Sequence, residues 1–158
     1  MEFTIAPRDI LQFDDVRIIF RNFRGEGSKY NREGDRNFAV VIPEEDLANR
    51  LIDDGWNVKI KPPREEGDDP FFYLPVKVKF NDRGPNVYLV TGNAQNKLSE
   101  ETIDMLDDID ICRVDVDIRP YDWEVNDKTG RTAYLQSARI VQEIDRFAAE
   151  FIENEMRE

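Results

Sequence analysis

Ile118-Arg-Pro-Tyr-Asp-Trp-Glu-Val-Asn-Asp-Lys-Thr-Gly-Arg-Thr-Ala-Tyr-Leu-Gln-Ser137 reads as a strand, a polar turn and a returning strand. Just before it, Cys112, Val114, Val116 and Ile118 alternate with Arg113, Asp115, Asp117 and Arg119. A period of two places one set on each face, the signature of a half-buried strand that runs on toward Trp123. Asn126-Asp-Lys-Thr-Gly130 supplies the turn, and Thr132 to Val141 returns. The chain is therefore expected to be built from paired strands.

The same period recurs on either side. Val16 to Phe23 is a strand candidate, with Val16, Ile18 and Phe20 on the core face and Arg17, Ile19, Arg21 and Phe23 opposite. A glycine-rich polar loop over 24–35 leads to a second strand, Arg36 to Ile42. Pro43, followed by Glu44, Glu45 and Asp46, opens a helix that buries Leu47 and Leu51 with Ala48 and Ile52 beside them, and Gly55 stops it. Trp56 to Ile60 reads as a short strand, 61–70 as an exposed loop, and Phe71 to Phe80 and Val87 to Val90 as further strands. Ser99 is placed to cap a helix over Glu100 to Asp108 that buries Ile103 and Leu106. Residues 1–15 read as an irregular lead-in, and 143–155 as an amphipathic terminal helix. The expectation is one domain over 1–158, mainly β with two or three short helices. Its core is a small antiparallel Greek-key barrel of the oligonucleotide-binding class over 16–141, followed by the C-terminal helix.

Composition narrows the function. There is no histidine, which removes the commonest general base and metal ligand and every Ser-His or Cys-His pair. The single cysteine, Cys112, excludes an internal disulfide and reads as a small buried residue in a cytoplasmic protein. No apolar run approaches the ~20 residues of a membrane span, and the N-terminus lacks a secretory pattern. The net charge is −12, unevenly spread: residues 16–38 carry +3, whereas 99–127 carry −9 and 142–158 carry −4. Such a chain is expected to shun duplex DNA at large, yet one basic groove with acidic flanks remains compatible with it.

Cations and rings supply the candidate groove. Lys77 and Lys79 alternate with Val76 and Val78, and Arg17 and Arg21 oppose the apolar face of their own strand. Tyr121, Trp123 and Tyr134 stand close to Arg119, Lys128 and Arg131. Bases stack on rings while Lys and Arg follow phosphates. Arg21, Lys29, Lys77, Lys79 and Lys128 are the candidate cations, and Tyr30, Trp56, Tyr121 and Trp123 the candidate stacking faces. The bland alternative makes the cations solvated strand residues and both tryptophans core. Asp115 and Asp117 share a strand face roughly 7 Å apart, a spacing open to a divalent metal, but pairing with Arg113, Arg119 or neighbouring strands is the simpler reading. Gly25-Glu-Gly27 and Gly34 lie between strands and enter no helix, so they read as a hairpin tip rather than a phosphate cradle. No cofactor and no metal site is expected.

Five segments carry a resemblance: Ile19-Phe-Arg-Asn-Phe-Arg24, Lys29-Tyr-Asn-Arg-Glu-Gly-Asp-Arg-Asn-Phe38, Asp54-Gly-Trp-Asn-Val-Lys59, Tyr73-Leu-Pro-Val-Lys-Val-Lys-Phe80, and Arg119-Pro-Tyr-Asp-Trp-Glu-Val-Asn126 through Ala133-Tyr-Leu135. Over roughly 16–141 the chain resembles phage-type single-stranded DNA-binding proteins and their prophage relatives, in which a first hairpin, a helix after the second strand and a late Gly-x-x-Ala strand follow in this order. The resemblance implies an oligonucleotide-binding barrel, no enzymatic activity, and protection of single strands in phage replication or recombination. Expected partners are single-stranded DNA and replication or recombination proteins, with no membrane; monomer and homodimer are both open. Two rivals stand beside this reading. One is an acidic phage interaction module or DNA mimic that inhibits a host nucleic-acid enzyme. The other is a metal-dependent nuclease using Asp115 and Asp117.

Overall fold

The computed structural model describes residues 1–62, 65–145 and 147. Its order is β1 (Glu2–Ala6), β2 (Ile10–Asp14), β3 (Ile18–Asn22), β4 (Arg36–Ile42), α1 (Glu45–Asp53), β5 (Lys59–Lys61), β6 (Phe71–Val78), β7 (Asn86–Thr91), β8 (Ala94–Leu98), β9 (Ile111–Val125) and β10 (Lys128–Gln142). The fold is mainly β. Pairing runs β1-β2-β9-β10-β6-β4-β3, with β5 on β6 and the β7–β8 pair on β10, in one sheet that does not close.

The residues expected to be an irregular lead-in instead form a hairpin. Phe3 pairs with Phe13 and Ile5 with Leu11, and Leu11 and Phe13 are fully buried. The alternation of Phe3, Ile5, Leu11 and Phe13 was interrupted to the eye by Pro7, which sits in a 3-10 turn between the two strands.

The long β9–β10 hairpin is the backbone of the molecule. Asn126 and Asp127 form its two-residue turn, both with left-handed φ (50° and 64°), as a tight hairpin requires. A bulge lies between Leu135 and Ser137. Before it β10 runs parallel to β6, through Ala133 and Tyr134; after it β10 runs parallel to β7, from Ser137 to Val141. Ile118, Ala133, Leu135, Val76, Phe38 and Val40 face one continuous core.

Two helical expectations fare differently. Helix α1 forms as anticipated, burying Leu47, Ala48 and Leu51, and the amides of Gly55 and Trp56 cap its last carbonyls. The helix expected over 100–108 is only a 3-10 turn at Ile103–Asp107 that still buries Ile103 and Leu106. The Ser99 amide donates to the Thr102 hydroxyl, and its own hydroxyl turns to Glu101 rather than capping a helix. The terminal helix expected over 143–155 lies almost wholly outside the described residues.

That acidic turn buckles the first hairpin in place. The Asp107 carboxylate accepts the amides of Phe23 (2.8 Å) and Arg24 (3.1 Å). Arg24 pairs with Asp107 and Asp108, and Arg36 with Glu100 and Asp104. Much of the sequence's contrast between a basic 16–38 and an acidic 99–127 is therefore internal pairing. Cys112 is exposed, against expectation, because it sits at the start of β9 before the buried run Val114, Val116, Ile118.

Candidate nucleic-acid interface

One row of residues crosses four strands on the face opposite the core. In register, Asn37 on β4 lies beside Lys77 on β6, Lys77 beside Tyr134 on β10, and Tyr134 beside Arg119 on β9. Their chain neighbours Phe38, Val76, Ala133 and Ile118 are buried, so alternation turns this row outward. The Arg119 guanidinium lies 4.9 Å from the Tyr134 ring centre, and Tyr121 meets Tyr134 edge-on at 6.0 Å.

The face continues along the outer arm of the hairpin, residues 121–132. Tyr121, Trp123 and Val125 pair with Thr132, Gly130 and Lys128, all of the same parity. The Trp123 indole lies over Gly130: a β-carbon there would meet Cζ2 at 2.3 Å and Cε2 at 2.6 Å. Glycine is thus the residue that lets the ring settle on the neighbouring strand. The ring remains 38% exposed and Tyr121 56% exposed, so both keep a face for a planar partner.

Above Lys77 stands the loop between β3 and β4. Gly25 takes φ 67° and packs against Gly34, where a β-carbon would meet backbone at 3.0 Å. Asn31 Nδ2 donates to the carbonyls of Glu26, Arg32 and Asp35, and Glu33 accepts the Gly27 amide. This network presents Tyr30 at the tip, 91% exposed, with the Lys29 ammonium 5.7 Å from its ring. Tyr30, Arg36, Lys77, Lys79 and Tyr134 line an open groove of about 760 Å³.

Lys79 also lines an adjoining groove of about 680 Å³, together with Arg8, Arg83 and Arg119. Among the described residues no carboxylate lines it. In a chain of net charge −12, a concavity walled by four cations and no acid concentrates positive potential where a polyanion would lie.

The expected site residues divide accordingly. Tyr30, Lys77 and Lys79 share the first groove; Tyr121, Trp123 and Lys128 lie on the arm; Lys29 stands beside Tyr30. Two expectations need correction. Trp56 is 4% exposed and lies in the core with the Arg131 guanidinium over it, so it offers no stacking face. Arg21 donates from Nη1 to the carbonyls of Leu106 (2.7 Å) and Ile109 (2.8 Å), which makes it a brace for the acidic turn. Arg8 and Arg83 were missed, since each is a single arginine in a turn. Phe20 was assigned to the core but is exposed, because β3 is irregular between Ile19 and Asn22 and Phe23 takes the buried place against Phe38.

The two carboxylates open to a metal, Asp115 and Asp117, both have partners. Asp115 pairs with Arg113 and with Arg139 across the strand and accepts the Asp15 amide; Asp117 accepts from Ser137. Arg131 pairs with Asp122 and Asp9. The hydrogen bond from Arg131 holds the Asp122 carboxyl below its ordinary range, against a smaller opposing effect of burial. Among the described residues no helix is long and apolar enough to cross a membrane.

The family model described as "Putative phage ssDNA-binding domain" matches residues 3–154. The chain belongs to this family. Its fold is similar to that of the single-stranded DNA-binding protein from bacteriophage Enc34. A C-terminal truncation of that protein matches with a TM-score of 0.57 at 15% identity, covering 90% of this chain and 91% of the other. The same phage protein in complex with ssDNA matches with a TM-score of 0.54 at 15% identity, covering 92% and 93%. No curated protein matches.

Proposed function

We propose that this protein is a non-enzymatic, sequence-tolerant binder of single-stranded DNA in phage replication or recombination. The observation that carries the reading is the pair of grooves meeting at Lys79, one walled by Arg8, Lys79, Arg83 and Arg119 without a carboxylate, beside an outward strip of rings. Lys77, Lys79 and those arginines take phosphates, and Tyr121, Trp123, Tyr134 and Tyr30 take bases. Each stacked base adds about 1–3 kcal/mol and requires no particular sequence. Family membership and the fold shared with the Enc34 protein support it.

The whole chain acts as one binding unit around an opened oligonucleotide-binding barrel. Support comes from two hydrogen bonds at the start of β3: the Val16 amide donates to Val114 of β9, and Arg17 accepts from Val41 of β4. They tie the leading end of β3 to both β9 and β4, which supports an incompletely closed arrangement of β3, β4, β6, β10 and β9, the five-strand count of such barrels.

The test is fluorescence anisotropy of a labelled ~30-nucleotide oligothymidylate, at low and moderate salt. Tight binding that weakens with salt and collapses in Lys77→Glu/Lys79→Glu is expected. Equal binding by wild type and this variant, or none at low salt, defeats the reading.

A further inference from the structure

We propose that the single strand is gripped at a second, separate stacking station centred on Phe20, at the far end of β6 from Lys79; this rests on the single-strand reading above. Phe20 is 55% exposed on a strand and has φ 53°. A bulky residue in the left-handed region is a genuine outlier, and strain of this kind is retained where the surroundings use the side chain. Nothing in the core requires it, since Phe23, just after this strand, fills the buried place against Phe38.

The bulge delivers the ring to a prepared setting. Phe20 meets Tyr73 edge-on at 5.3 Å, Tyr73 lies 6.0 Å from Phe71, and the Lys61 ammonium is 5.7 Å from the Phe20 ring centre. Lys59 pairs in register with Tyr73, and Lys61 with Phe71. Rings with ammonium groups beside them reproduce on β3, β5 and β6 the chemistry that Tyr134, Tyr121 and Arg119 present on β9 and β10.

The two stations share one face. Phe71, Tyr73 and Lys77 have the same parity on β6, and the residues alternating with them, Phe72, Leu74, Val76 and Val78, are buried. Tyr73 and Lys77 are four residues apart, about 13 Å along the strand. A strand lying over Lys77 toward the arm reaches Phe20 only if it is long enough to continue back along β6. The station therefore contributes to long oligonucleotides and not to short ones.

The experiment uses the full chain and two oligothymidylates, of about 6 and about 20 nucleotides, the first near the lower end and the second beyond the upper end of the ~4–16 nucleotides such folds occupy. Phe20→Gly removes the ring and suits the left-handed backbone. It is expected to weaken the longer ligand about tenfold, to leave the shorter one unchanged, and to hold or raise the thermal midpoint, which loss of a structural ring would lower. Lys61→Glu repeats the test without touching the strained residue. Unchanged affinity for the longer ligand in both variants, with binding still lost in Lys77→Glu/Lys79→Glu, overturns the station alone. A wild type that binds neither ligand overturns the underlying single-strand reading with it.

Discussion

The indole of Trp123 occupies the space that a side chain at position 130 would need. A β-carbon on Gly130 would lie 2.3 Å from the ring, yet the ring is free to swing outward because it is 38% exposed. Gly130→Ala is therefore expected to shift the ring without unfolding the strand. Stability stays within about 0.5 kcal/mol of wild type, the ordinary range for exposed sites. Affinity for oligothymidylate falls several-fold, and tryptophan emission moves to longer wavelength. A wild-type affinity together with an unmoved spectrum would show that the ring's seat on Gly130 is immaterial.

The two tryptophans are predicted to separate cleanly in fluorescence. Trp123 is exposed and Trp56 buried. Quenching by added single strand survives in Trp56→Phe and disappears in Trp123→Phe. Trp56→Ala, by contrast, opens the core and costs about 3–5 kcal/mol by chemical denaturation. Quenching that tracks Trp56 would misplace the interface.

Salt dependence gives a measure of each lysine. A cation that neutralises one phosphate of a single strand adds about 0.7 to the slope of log affinity against log salt. Lys77→Ala/Lys79→Ala is therefore expected to flatten that slope by about 1.4. A slope that stays unchanged while affinity drops would assign the two lysines to shape rather than to phosphate contact.

Arg131 links three parts of the chain: Asp122 on the arm, Asp9 near the N-terminus and the face of Trp56. Arg131→Gln should lower stability by about 1 kcal/mol through the lost ring contact, and let the Asp122 carboxyl titrate in its ordinary range. A carboxyl whose folded pKa is depressed stabilises the fold above its unfolded value, near 4, and that contribution vanishes as pH falls through the lower folded value. Asp122 is 65% exposed, so solvent screens the pair and the acid-side effect is small. An NMR titration of Asp122 in both proteins checks the sign: an unshifted wild-type carboxyl would contradict it.

The legible parts of this chain were those in which a period of two survives intact. β9, β10, β6 and β4 were readable because Val114, Val116 and Ile118, or Leu74, Val76 and Val78, keep strict alternation. β8 was not, since Ala94-Gln-Asn-Lys-Leu98 buries only Leu98 fully and owes its place to pairing with β7 across Gly92-Asn93. Phe20 was misplaced for the opposite reason. A bulge shifts parity, and no local feature of Ile19-Phe-Arg-Asn announces one. The candidate site was half visible: Lys77, Lys79, Tyr30, Tyr121, Trp123 and Lys128 stand out as cations and rings. Arg8 and Arg83 join them only through tertiary folding, and Arg21 and Trp56 leave the set because their partners lie far away in sequence.

The bulge at Gln136 also divides the molecule in time. β10 takes β6 as its neighbour on one side of that bulge and β7 on the other, while residues 119–125 of β9 pair with β10 alone. Local opening of residues 121–130 disturbs neither neighbour, while the Arg131 amide just inward stays bonded to the Gly55 carbonyl, so the amides of 121–130 should exchange with solvent as a separate, faster unit than Val114 or Ile140. The rings of Tyr121 and Trp123 then ride on the part of the sheet that opens most readily, and a strand that stacks on them would slow that exchange from outside.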